Sequence, residues 1–129
     1  MRVDISPDKN RPGYFTVTPY GSIDSESYAE FQKKMSPLLV KSTAVVLIDL
    51  ENVDYISSAG LGVFFTVKKF MKEKKGELLF CNLKPQIKRL FEIVKALPKD
   101  NVFADVEEAD RYFYKMMEEE IEKEKKKSS

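Results

Sequence analysis

Val53-Asp54-Tyr55-Ile56-Ser57-Ser58-Ala59-Gly60-Leu61-Gly62-Val63 joins two segments of different hydropathy period, and the topology is read outward from that junction. Upstream, Ala44 to Leu50 (Ala-Val-Val-Leu-Ile-Asp-Leu) is an almost continuous apolar run of strand length. That is the pattern of a central strand buried on both faces of a sheet with parallel pairing. Downstream, Gly60, Val63, Phe64, Val67, Phe70 and Met71 recur at helical spacing, so a helix is expected from about Ser57, with Gly76 as its C-cap. A strand-to-helix junction carries unpaired N–H groups and the positive end of the helix dipole. Ser57 and Ser58 stand at this point. A phosphate on a serine there would find donors already aimed at it, while as plain N-caps the same hydroxyls would stabilise the helix by about 1 kcal/mol. Gly60 and Gly62 permit close backbone approach, by a neighbouring strand or by a partner. Neither GxGxxG nor GxxxxGK[ST] occurs, so no nucleotide fingerprint accompanies the glycines.

Towards the N-terminus, Val3-Asp4-Ile5 alternates and is broken by Pro7 and Pro12-Gly13, and Tyr14 to Thr18 is β-branched and aromatic; the two read as a hairpin. From Ser25 the period becomes helical, with Tyr28, Phe31, Met35, Leu38 and Leu39 on one face. Asp24 or Ser27 is the expected cap, Ser27 with Glu30 has capping-box spacing, and Pro37 should end or kink the helix near Met35. Beyond the junction, Glu77 to Leu83 reads as a buried strand containing Cys81, and Pro85 opens a helix with Ile87, Leu90, Phe91 and Val94 inward. Asn101 to Ala104 is a short last strand. Ala109, Tyr112, Phe113 and Met116 begin a fourth helix. Its charged extension has favourable Glu119–Lys123 and Glu122–Lys126 spacings. The order β-β-α-β-α-β-α-β-α defines one α/β domain with a mixed sheet of four to five strands and about four helices, over residues 1–117, with 118–129 as an extension.

Composition narrows the chemistry. In 129 residues, 22 Lys and Arg face 21 Asp and Glu, which gives no basic excess for nucleic acid or a membrane surface. With no His, a Ser-His-Asp triad, a Cys-His pair and any His-ligated metal site are excluded. The single Cys81 cannot form an internal disulfide. No cofactor or metal is expected, no apolar run reaches the roughly 20 residues that span a bilayer, and no export signal is read, so the expected location is cytoplasmic.

Three segments together resemble the STAS domain, specifically the single-domain anti-sigma factor antagonists of bacteria, from about Val3 to Met116. Gly21-Ser22-Ile23-Asp24 is similar to the family's Gly-x-(Leu/Ile)-Asp before the first helix. Val45 to Leu50, followed by Val53, resembles its central strand and exit. Ile56-Ser57-Ser58-Ala59-Gly60-Leu61-Gly62 resembles its Asp-Ser-(Ser/Thr)-Gly-Leu-Gly signature. The resemblance implies a non-enzymatic switch that binds an anti-sigma factor serine kinase and is turned off when that kinase phosphorylates Ser58. Ser57 stands where the family has Asp, which leaves it as a second acceptor.

The implied partner surface comprises Asp24, Ser57, Ser58, Ala59, Gly60, Leu61 and Phe65. By helical projection Leu61 and Phe65 share a flank with Lys68 and Lys72, an expected exposed apolar patch with a basic rim. Two other readings stand beside the switch: a STAS scaffold subunit of a stressosome-like or lipid-transporter assembly, and a weak nucleotide-binding module.

Overall fold

A computed structural model describes residues 1–94 and 101–127. Five strands form one sheet in the order β1 (Val3–Pro7), β2 (Tyr14–Pro19), β3 (Val45–Asp49), β4 (Glu77–Cys81) and β5 (Val102–Phe103). The first pair is antiparallel, with Ile5 opposite Val17, and the other pairs are parallel, with Leu47 between Thr16 and Leu79. The expected hairpin is therefore present. Gly13, at φ 79°, occupies the turn conformation that glycine adopts without a Cβ clash, and its carbonyl accepts the N–H of Ala44 at 2.7 Å.

Four helices follow the strands: α1 (Tyr28–Met35), α2 (Ser58–Glu73), α3 (Pro85–Ile93) and α4 (Val106–Lys127). α1 stops where Pro37 requires, and a 3-10 turn over Ser36–Leu38 continues from it. Side chains alternating along the strands serve two cores. Val46, Ile48, Leu78 and Phe80 pack with α1, α2 and α3, whereas Val45, Leu47, Leu79 and Cys81 pack with α4 through Ala109. On the first face Phe64 meets Phe31, Phe80 and Phe91 edge-on at centroid distances of 6.0, 5.2 and 6.3 Å, tying three helices to the sheet. On the second, Arg11 pairs with Asp110 at 2.9 Å and lies over the Tyr14 ring at 3.8 Å, clamping α4 to the start of β2.

Several local expectations are corrected. Tyr28, placed on the inner face of α1, is 37% exposed. Ser27 makes no side-chain cap on α1 and forms no capping box with Glu30; instead Asp24 Oδ1 accepts the N–H groups of Glu26 and Ser27 at 2.9 and 3.0 Å, and Ser27 Oγ accepts the Asp24 N–H at 3.0 Å in return. At the end of α2 the left-handed residue is Lys75, at φ 62°, and Gly76 follows it, donating its N–H to Met71 O at 2.7 Å. What requires glycine at 76 is space, because a Cβ would stand 2.6 Å from Met71 Cε and 2.9 Å from Ala44 O. α4 itself runs unbroken from Val106 to Lys127, so the charged extension expected from 118 continues the helix.

Candidate functional site

The carboxyl ends of the parallel strands gather three loops: 20–27 after β2, 50–57 after β3 and 82–84 after β4. In an open α/β sheet this end is where ligands and partners are received. The first two loops are stitched together. Gly21 N–H donates to Asn52 O at 2.9 Å, Ile23 N–H to Tyr55 O at 2.9 Å and Ser57 N–H to Ile23 O at 2.8 Å, with Ile23 and Ile56 forming a parallel bridge. Gly21, at φ 92°, opens this crossing in a backbone conformation that L side chains rarely adopt.

The bridge sets the position of α2. Gly60 lies against it so closely that a Cβ would meet Ile23 O at 2.5 Å and the Cγ2 atoms of Ile23 and Ile56 at 2.8 and 2.9 Å. A Cβ on Gly62 would meet nothing within 4 Å. The two glycines therefore differ in duty: the first admits the chain's own backbone, and the second leaves open surface.

The two serines divide the chemistry. Ser57 is the N-cap, in extended conformation, and its Oγ accepts the Gly60 N–H at 3.2 Å. Ser58 begins the helix and is exposed, with its hydroxyl outside the cap. Asp24 sits beside the bridge, one residue from Ile23. Its carboxyl is held below its ordinary value first by the Glu26 N–H and then by the Ser27 N–H, so it is a carboxylate that orders the loop.

Ala59 is half-buried next to Ser58. The flank patch is corrected: Leu61 is only 7% exposed and belongs to the main core, and Phe65 is half-buried against it. The most exposed aromatic at this end is instead Tyr55, at 56%, ahead of Tyr28 at the start of α1. Sequence periodicity has no signal for it, because Tyr55 lies in a loop whose direction is fixed by the Ile23 bridge. Asp49 serves the turn, accepting the Glu51 N–H at 3.0 Å and the Asn82 amide at 3.1 Å. Cys81 is buried in the second core, and burial pushes its thiol up to about 12. Among the described residues no group of three or more His, Cys, Asp or Glu could hold a metal ion, and no helix is long and apolar enough to cross a membrane.

The fold and site define a class: a small α/β domain that presents a helix N-terminus and its serine at the carboxyl end of a mostly parallel sheet. Residues 7–109 match the model of the STAS domain family. The chain belongs to that family, among the anti-sigma factor antagonists. It is 30% identical over 93 residues to the anti-sigma-B factor antagonist of Listeria monocytogenes, covering 72% of this chain and 82% of that protein. Similarity to BtrV of Bordetella bronchiseptica, also named as an anti-sigma factor antagonist, is 37% over 73 residues, 57% of this chain and 63% of that one. The chain thus spans less than two thirds of the BtrV length. In fold it is similar to the anti-sigma factor antagonist SpoIIAA in its unphosphorylated form, with a TM-score of 0.73 at 15% identity over 88% of this chain and 96% of that one.

Proposed function

We propose that this chain binds an anti-sigma factor that is a serine kinase, through the face containing Asp24, Ser57, Ser58, Ala59 and Gly60, and that phosphorylation of Ser58 releases it. Its own role is recognition and not catalysis, and it acts in the cytoplasm. The observation that carries the reading is the division of labour between the serines: Ser57 is spent on the Gly60 N–H, and Ser58 is exposed at the first position of α2. In the phosphorylation step the kinase's bound ATP gives its γ-phosphoryl group to Ser58 Oγ, ADP leaves, and the hydroxyl proton passes to the kinase or solvent. The product carries about 1.5 to 2 negative charges at neutral pH. Four carboxylates and one lysine occupy the three surrounding loops, so beyond the N–H groups at the start of α2 little on this chain offsets the added charge. Desolvating it in a protein interface is costly, and the bound state is lost. Leu61 and Phe65 support the face from beneath by packing α2.

The test is phosphotransfer and binding with the host's purified anti-sigma serine kinase. One phosphate on Ser58, tight constitutive binding by Ser58→Ala and weak binding by Ser58→Glu are expected. Equal binding by both variants and the wild type would sink the switch.

A further inference from the structure

Tyr55 sits two residues before the capping serine, in the loop leading into α2, and more than half of its surface is exposed. Among the described residues its ring has no aromatic neighbour and its hydroxyl no hydrogen-bond partner. The backbone beneath it, by contrast, is fixed from both sides. Its own carbonyl accepts the Ile23 N–H at 2.9 Å, and Asn52 O accepts from Gly21 at 2.9 Å. On the other flank Asp54 pairs with Lys84, and Asp54 O accepts from the Gln86 amide at 3.3 Å. A large amphipathic side chain on an immobilised loop loses little conformational freedom on burial, and such tyrosines are enriched among the few residues that dominate interface energies.

Charge is sorted along the molecule as well. The loops at this end carry Asp24, Glu26, Glu51 and Asp54 against Lys84, and the start of β1 beside them adds only the Arg2–Asp4 pair, at 3.1 Å, which cancels. The opposite end, in segments 8–13, 39–44 and 74–76, carries Lys9, Arg11, Lys41, Lys74 and Lys75 against Asp8. An end-to-end dipole of this sign steers a partner with basic groups onto the Ser58 end and away from the other.

Resting on the function proposed above, we infer that Tyr55 is the anchor of the kinase interface: it fills an apolar pocket on the kinase, while basic kinase residues meet the carboxylates of Glu26 and Glu51 at the rim. Ser58 then lies in the dry centre beside Tyr55. A phosphate there disrupts the centre whatever the rim attracts, so the two charge effects act on different rates. Phosphorylation raises the dissociation rate, and the rim sets the association rate.

The experiment is surface-plasmon resonance with the purified kinase. Tyr55→Ala should weaken binding at least tenfold, through dissociation, with an unchanged thermal melt, and Tyr55→Phe should stay within about threefold, because the ring supplies the contact. The double charge reversal Glu26→Lys with Glu51→Lys should slow association severalfold and flatten its salt dependence. If the wild type binds and Ser58 phosphorylation releases it, yet Tyr55→Ala binds equally well, the anchor assignment is overturned and the switch stands. If the wild type does not bind the kinase, both fall.

Discussion

The Oγ of Ser57 accepts the backbone N–H of Gly60 at 3.2 Å, closing the first turn of α2, while the next residue's hydroxyl is left to solvent. Adjacent serines thus answer to different tests. Ser57→Ala leaves an orphan donor at the helix start and should lower stability by about 1 kcal/mol. Ser58→Ala should lie within about 0.5 kcal/mol of wild type. Urea denaturation of both variants decides it; an equal loss from each would mean that Ser58 shares the cap.

Gly60 and Gly62 form a second contrasting pair. Alanine at 60 would place a Cβ 2.5 Å from Ile23 O, a carbonyl already held by Ser57 N–H, so the backbone must shift and the cost should be about 1–3 kcal/mol. Alanine at 62 meets open space within an ordinary helix and should stabilise by about 0.5–1 kcal/mol. Opposite signs in thermal melts are the expected result. Two losses of similar size would contradict the close contact at the Ile23–Ile56 bridge.

Asp24 gives the β2–α1 loop a pH dependence with a defined sign. Its native pKa lies below the ordinary 3.8, first because of the Glu26 N–H. A depressed carboxyl contributes stability that is complete above 3.8 and is lost as pH falls through the lower native value. Asp24→Asn keeps an oxygen acceptor without the charge. It should therefore be less stable than wild type at neutral pH, and the gap should shrink as the pH is taken down past 3.8. Denaturation midpoints across that range would reject the assignment if the gap stayed constant.

Periodicity carried the sequence reading wherever burial is set by one element against one sheet face. The Val45–Ile48 run is a strand buried on both sides because α4 covers the face opposite the other helices. The serines were legible because their place between strand and helix fixes them at the junction. Leu61 was not, since α2 packs against α1 as well as the sheet, as the Phe31–Phe64 contact records, and its buried arc is wider than a single face. Nor was Tyr55, whose direction depends on Ile23, far away in sequence. Lys75 shows the same limit. Left-handed backbone favours glycine, so the sequence points to Gly76, but the space left by Met71 and Ala44 puts the glycine one residue later. Asp24 and Ser27 compete for the α1 cap, and only the loop path decides between them.

Asp110 offers a way to measure how firmly α4 covers the sheet. One carboxylate oxygen accepts from the Arg11 guanidinium at 2.9 Å and from the Tyr14 hydroxyl at 3.1 Å. The Arg11 side chain is 13% exposed and that of Asp110 32%, so the contact is partly screened. Asp110→Ala takes the acceptor away from both donors while leaving Asp8 on Arg11 at 2.7 Å, and should cost about 1–3 kcal/mol. Cys81 reports where that loss is felt, because it packs in the same cluster as Ala109. Its thiol is pushed up to about 12, by burial before the nearby carboxylates, and it should label very slowly in the wild type. Loosening α4 lets solvent reach the thiol and restores an ordinary pKa, so labelling by an aromatic disulfide under native conditions should quicken several-fold in Asp110→Ala. Ser58→Ala, on the other face, should leave the labelling rate unchanged. Equal rates in all three proteins would mean that Cys81 is exposed only by global unfolding and that the Arg11–Asp110 pair does not govern α4.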